Sequence, residues 1–143
     1  MSNAEIPAEL ELTEPTPEMD ALARLVIGAA IEVHRILGPG FSEDVYQRAL
    51  EVELKLRAIP FEAQKPVTVM YKGVVVGTGK VDLLVGGKLV VELKVVSSIL
   101  PLHRLQTRSY LRTIHQPLGL LVNFDVPVLK DGIRRIVDSF SPS

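Results

Sequence analysis

The sequence predicts an α/β fold, a mixed β-sheet flanked by helices in one domain, and three observations carry that prediction. Apolar residues recur at helical spacing in two segments between Met19 and Arg57. Beyond Pro60 the chain changes to short Val- and Leu-rich runs punctuated by Lys72-Gly73 and Gly86-Gly87, a pattern of strands joined by tight turns. Pro101 then opens a third helical segment, which is followed by a continuous apolar run, Leu118 to Phe124, of the kind a buried strand presents. No repeat and no second core is visible, so helix, helix, sheet, helix and strand pack most simply as one layered sandwich.

Residues 1–18 carry Glu5, Glu9, Glu11, Glu14 and Glu18 among Pro7, Pro15 and Pro17, without a sustained apolar period, and read as a flexible acidic leader. The domain is expected over residues 19–140. Leu22, Leu25, Val26, Ala29, Val33, Ile36 and Leu37 place the first helix over 19–37, ended by Gly38-Pro39-Gly40. Ser42 is placed to N-cap a second helix running to about Arg57, with Val45, Ala49, Leu50, Val52 and Leu56 as its apolar stripe. Val67–Tyr71 and Val74–Val76 read as strands, followed by a hairpin from Gly79 to Lys94. The third helix is expected from Pro101 to about Ile114, and a last short strand over Ile133–Val137 after the turn at Lys130-Asp131-Gly132.

Composition excludes several classes of chemistry. The 143 residues include no Cys, which removes disulfides, zinc-thiolate sites and a cysteine nucleophile, and makes a reducing compartment the expectation. No apolar run approaches the roughly 18–20 residues of a membrane span, and the N-terminus lacks the layout of a secretory signal. A cytoplasmic protein with no membrane partner is expected. The net charge of −1 provides no overall basic field.

The hairpin holds the residues of interest, because Asp82, Glu92 and Lys94 lie in strands that otherwise look buried. Its register decides whether they meet. A two-residue loop at Gly86-Gly87 sends the two carboxylates to opposite faces, whereas a three-residue loop of Gly86, Gly87 and Lys88 pairs Val85 with Leu89 and sets Asp82 opposite Glu92. A bulge near Asp82 has the same effect. Two opposed carboxylates can then share a cation, or they can form cross-strand ion pairs with Lys80 and Lys94.

Asp82, nine intervening residues and Glu92-Leu93-Lys94 resemble the D…ExK signature of the PD-(D/E)XK nuclease superfamily. Gly79-Lys80-Val81-Asp82 is similar to its GxxD motif, and Gln106 to Tyr110 matches the QxxxY motif of the RecB-like branch. Upstream, Gly40 to Tyr46 fits GxxExxY, the pattern that names a family of small proteins in this superfamily. The one visible departure is Val81, where the superfamily's wording has Pro before the aspartate. The resemblance implies a restriction-endonuclease-like core and a Mg²⁺- or Mn²⁺-dependent nuclease. Its ion would be held by Asp82, Glu92, the Leu93 carbonyl and Glu43, hard oxygen donors suited to such a cation. It further implies that Lys94 stabilises the developing anion and that Gln106 and Tyr110, four apart on the third helix, face the site. Nucleic acid, DNA foremost, is the implied partner.

Other residues read differently. Glu43 would also be favoured in the first turn of a helix by the macrodipole alone. Tyr46, one turn on, is expected on the side of Glu43. Arg104, Arg108 and Arg112 form a stripe nearly opposite Gln106, facing solvent or another subunit of a homo-oligomer. The three histidines share no metal-ligating spacing. The alternative function is a catalytically silent module on the same fold that binds nucleic acid or protein, since fold does not carry activity with it.

Overall fold

The computed structural model describes residues 14–138, in which two helices, three strands, a helix and two strands follow one another, one strand fewer than the sequence predicts. Helix α1 spans Pro17–Leu37 and α2 Glu43–Leu56. Strands β1 (Phe61–Tyr71), β2 (Val74–Val85) and β3 (Leu89–Lys94) follow. Helix α3 (Pro101–Ile114), β4 (Leu118–Asn123), a 3₁₀ turn at Leu129–Gly132 and β5 (Ile133–Val137) come next. The five strands form one sheet in the order β1-β2-β3-β4-β5. Only β3 and β4 run parallel; the other neighbours are antiparallel, so the sheet is mixed.

Helix α1 begins with Pro17 in its first turn, and the Thr16 hydroxyl accepts from the Met19 N–H at 3.1 Å. Pro17 and Glu18 therefore belong to a helix rather than to the expected leader, whose residues 1–13 lie outside the described ones. Ser42 does occupy the N-cap of α2, but its side chain makes no capping bond. That start is held instead by Tyr46, whose hydroxyl donates to the Gly38 carbonyl and accepts from the Phe41 N–H. The α3 start is closed by His103, whose Nδ1 accepts from the Leu100 N–H at 2.9 Å.

The strands after Pro60 are longer than their apolar runs. The expected segments 74–76 and 79–85 are one continuous β2, and β1 begins at Phe61, six residues ahead of Val67. Gly77 and Gly79 interrupt the apolar pattern without interrupting the backbone ladder, which continues through Val69↔Gly77 and Val67↔Gly79. Side-chain pattern and hydrogen bonding part company there because the far half of this ribbon is exposed on both faces and needs no alternation.

The core lies on both faces of the sheet. Val26, Ala29, Ala30 and Val33 of α1 and Tyr46, Leu50 and Leu54 of α2 pack with Leu83, Val91, Leu93, Leu120 and Val122. On the other face Leu111 and Tyr110 of α3 pack with Val67, Val81, Leu84, Val90 and Leu121. Both faces of β3 and β4 are thus covered, which is why β4 reads as a nearly continuous apolar run and why Glu92 and Lys94 stand out in β3. Among the described residues no helix is long and apolar enough to cross a membrane.

Candidate active site

The β2-β3 hairpin has a three-residue loop. Val85 pairs with Leu89, Leu84 with Val90 and Leu83 with Val91. Gly86 and Gly87 both adopt left-handed backbone, at φ 60° and 73°, which a glycine takes without steric cost. Continued by one step, this register sets Asp82 opposite Glu92. The regular ladder stops at Leu83/Val91, and side chains take over from the backbone. The Asp82 N–H donates to Glu92 Oε1 at 2.9 Å, and the Leu93 N–H donates to Asp82 Oδ2 at 2.8 Å.

The other side of β2 explains why the strands part here. Along β1 and β2, Lys65 pairs with Val81 and Ala63 with Leu83, but the intervening pair, Gln64 with Asp82, is missing. Gln64 has φ 52°, a conformation that a side chain other than glycine rarely takes. The ribbon changes face at this point. Leu83 and Val85 pack toward α1 and α2, whereas Val81, which strict alternation would put with them, packs with Leu84 on the α3 side. Asp82 is the irregular residue between them, in the place where a bulge re-aims a side chain.

Four charged groups gather around this break. Glu92 is 5% exposed, and its carboxyl is pushed up to about 8, first by burial and then by the negative charge of Asp82. Glu43, in the first turn of α2, feels the same neighbours. Its carboxyl is raised by local burial and by Asp82, and drawn down by Lys94. Lys94 is half-buried and forms no ion pair among the described residues, and neither does Lys80. The cross-strand ion pairs that offered a bland explanation of Asp82 and Glu92 are therefore not made.

One oxygen of each carboxylate is occupied by a backbone N–H. The second has no hydrogen-bond partner among the described residues, yet no buried side-chain polar atom is left sealed without one. Among the described residues, then, neither second oxygen is both sealed and unsatisfied. Two hard oxygens beside excess negative charge suit a small divalent cation, so the donor set fits such an ion. The cage is incomplete, because among the described residues no three His, Asp or Glu side chains converge to form one. Glu43 lies within electrostatic reach of the pair without closing on it.

The QxxxY residues sit on the α3 side. Tyr110 lies over β2 at Gly79, where an added Cβ would come within 3.1 Å of the Tyr110 ring and hydroxyl. The glycine of GxxD and the tyrosine of QxxxY are thus one packing contact. Gln106 is exposed, and neither it nor Tyr110 hydrogen-bonds to Asp82, Glu92 or Lys94 among the described residues. Tyr46, three residues after Glu43, is a core residue. It is fully buried and stacked on Phe124, with ring centroids 4.5 Å apart. The arginine stripe divides as well: Arg112 pairs with the buried Asp138 at 3.0 Å, while Arg104 and Arg108 are exposed.

Gln47 is the site neighbour that sequence reasoning missed. It is buried, and its Nε2 donates to the Asp82 carbonyl at 3.0 Å and to Glu51 Oε2 at 3.0 Å. The one signal for it in the sequence is its position four residues after Glu43, on the same helical face. A cavity of about 330 Å³ lies at the loop end of the hairpin, lined by Thr16, Met19, Gly87, Lys88 and His115, and contains none of these groups.

Residues 20–136 match the model of the PD-(D/E)XK nuclease superfamily. No curated protein matches the chain. A solved structure described as SSO0001 is similar in fold, with a TM-score of 0.53 and 23% identity over 87% of this chain. The match covers 59% of that protein, so the present chain spans less than two thirds of its length.

Proposed function

The chain belongs to the PD-(D/E)XK nuclease superfamily, and from that premise we propose that it is a divalent-metal-dependent nuclease hydrolysing phosphodiester bonds, with DNA as the first substrate to test. The observation that carries the reading is the parting of β2 and β3 at Asp82 and Glu92, where, among the described residues, one oxygen of each carboxylate has no hydrogen-bond partner and Lys94 makes no ion pair. Ion pairs to Lys80 and Lys94 would close this gap; here it stays open. The GxxExxY and QxxxY patterns support a finer placement, among the small GxxExxY proteins of the RecB-like branch.

Asp82, Glu92 and the Leu93 carbonyl would hold Mg²⁺ or Mn²⁺, with Glu43 joining directly or through water. The ion supplies charge to polarise a phosphate oxygen and to make a water nucleophilic. The chain's own residues do the rest. The N–H groups of Asp82 and Leu93 fix one oxygen of each carboxylate, so the other keeps its direction. Lys94, which makes no ion pair among the described residues, would neutralise a phosphate oxygen as negative charge develops. Tyr110, braced on Gly79, and Gln106 one turn away contribute to orienting the substrate strand.

The test is calorimetric titration of Mn²⁺ and Mg²⁺ into metal-free protein, followed by cleavage assays on DNA and RNA. Saturable binding lost in Asp82→Asn, with cleavage lost in Asp82→Asn and Glu92→Gln proteins of unchanged fold, is the expected result. Full activity in either variant removes the claim. A second reading has its own observation. Each carboxylate already ties down the opposite strand, so the pair can serve as a structural splice in a catalytically silent, binding module. That reading expects no ion binding, and a large loss of stability in Asp82→Ala and Glu92→Ala, which remove the accepting oxygens.

A further inference from the structure

Asp82 lacks the ordinary backbone partners of a strand residue. Its pairing with Gln64 on β1 is missing, and the β3 ladder ends one residue earlier. A backbone N–H and C=O in such a place still need partners. The N–H finds the Glu92 carboxylate, and the C=O finds the Gln47 amide. Both polar groups of this one residue are therefore held by side chains.

The Gln47 contact has a built-in direction. A glutamine amide can present either its oxygen or its nitrogen, and only the nitrogen can serve a carbonyl. Glu51 accepts from the same Nε2, so its carboxylate also favours the orientation that offers the nitrogen to Asp82. Glu51 lies four residues beyond Gln47, on the same face of α2. The surrounding core is already filled by Tyr46, Leu50 and Leu54. An apolar side chain at 47 would fill the same space and leave the Asp82 carbonyl without its donor, at the cost of burying an unmet acceptor.

We infer that Gln47, oriented by Glu51, is a positioning residue that holds the Asp82 peptide in its irregular conformation and so keeps the Asp82 carboxylate in the gap between β2 and β3. The assignment rests on the nuclease reading for what Asp82 does and on geometry alone for what Gln47 does. Helix α2 then serves the site twice, through Glu43 at its start and through the Gln47–Glu51 pair along its buried face.

The experiment compares amide hydrogen exchange by NMR in the metal-free full chain, as wild type, Gln47→Met and Glu51→Ala. Methionine keeps the volume and removes the donor. Exchange at the Asp82 and Leu93 amides should quicken about 10-fold in Gln47→Met, the scale of one lost hydrogen bond, while the β4 amides of Leu120 and Val122 keep wild-type rates. A smaller, equally local effect is expected in Glu51→Ala, where Gln47 remains but is free to turn; this variant decides the matter if the methionine protein does not fold. Unchanged protection at Asp82 and Leu93, or acceleration spread equally over β4, overturns the inference. A parallel Mn²⁺ titration should show about 10-fold weaker binding in Gln47→Met, on the same scale. Absence of Mn²⁺ binding in the wild type would sink the metal reading of Asp82 while leaving the exchange result to judge Gln47.

Discussion

Glu92 sits where its charge is costly. Burial first, and the adjacent Asp82 second, favour the protonated form and raise the carboxyl from its ordinary 4.5 to about 8. An acid raised in this way stabilises the fold at low pH, where it is protonated, and that contribution is lost as pH climbs from about 4.5 through about 8. Each tenfold change in proton affinity is worth about 1.4 kcal/mol, so the metal-free protein should lose a few kcal/mol across this window. Glu92→Gln should flatten the dependence and be the more stable protein at pH 8. Urea denaturation of both proteins at pH 5, 6.5 and 8 checks this, and parallel curves for the two would contradict it. At Gly79 the constraint is steric, since a methyl group there would stand 3.1 Å from the Tyr110 ring. Gly79→Ala should cost about 1–3 kcal/mol through overpacking and shift the Tyr110 ring resonances in NMR spectra.

At the scale of elements, the turn between α1 and α2 is set by one hydroxyl. Tyr46 binds the Gly38 carbonyl and the Phe41 N–H while its ring stacks on Phe124. Tyr46→Phe keeps the stack and removes both bonds, so it should cost about 1–3 kcal/mol. The loss should be read in thermal melts, and amide exchange should localise it to the start of α2, where Glu43 sits. An unchanged melting temperature would show that the hydroxyl does not hold this turn. A loss confined to that start would make Tyr46 a positioning element for Glu43. The hairpin loop is just as specific. An alanine at Gly86 would take a strained positive φ and bring its Cβ within 2.9 Å of Leu22 Cδ2.

At the scale of the molecule, the site is a seam between α2 and the middle of the sheet, so an ion bound there stabilises the folded chain and not the unfolded one. Stability should rise by about 2.7 kcal/mol at an ion concentration about 100 times the dissociation constant. Differential scanning calorimetry with Mn²⁺ should show this in the wild type and not in Asp82→Asn. An equal shift in both proteins would place the ion elsewhere. The two faces of the sheet divide the work. The α1-α2 face supplies most of the buried core together with Glu43 and Gln47, and the α3 face supplies Tyr110 and the contact that braces β2.

Element order, the bounds of α3 and β5, and the motif residues on the hairpin were legible in the sequence, because apolar period, Pro101 and the Gly-Gly turn act locally. The loop length was legible only as a choice of two, since both loops satisfy the same residues and only packing of Leu83, Val85, Leu89 and Val91 against α1 and α2 selects one. Tertiary structure alone decided that β2 is continuous through Gly77 and Gly79, that Tyr46 faces the core, and that Arg112 answers Asp138. It also decided the position of Gln47, which is thirty-five residues from the carbonyl it serves. Residues of one helix turn or one hairpin meet through backbone geometry that their own types dictate. Residues that meet across layers do so through the packing of everything between them, and no local pattern carries that.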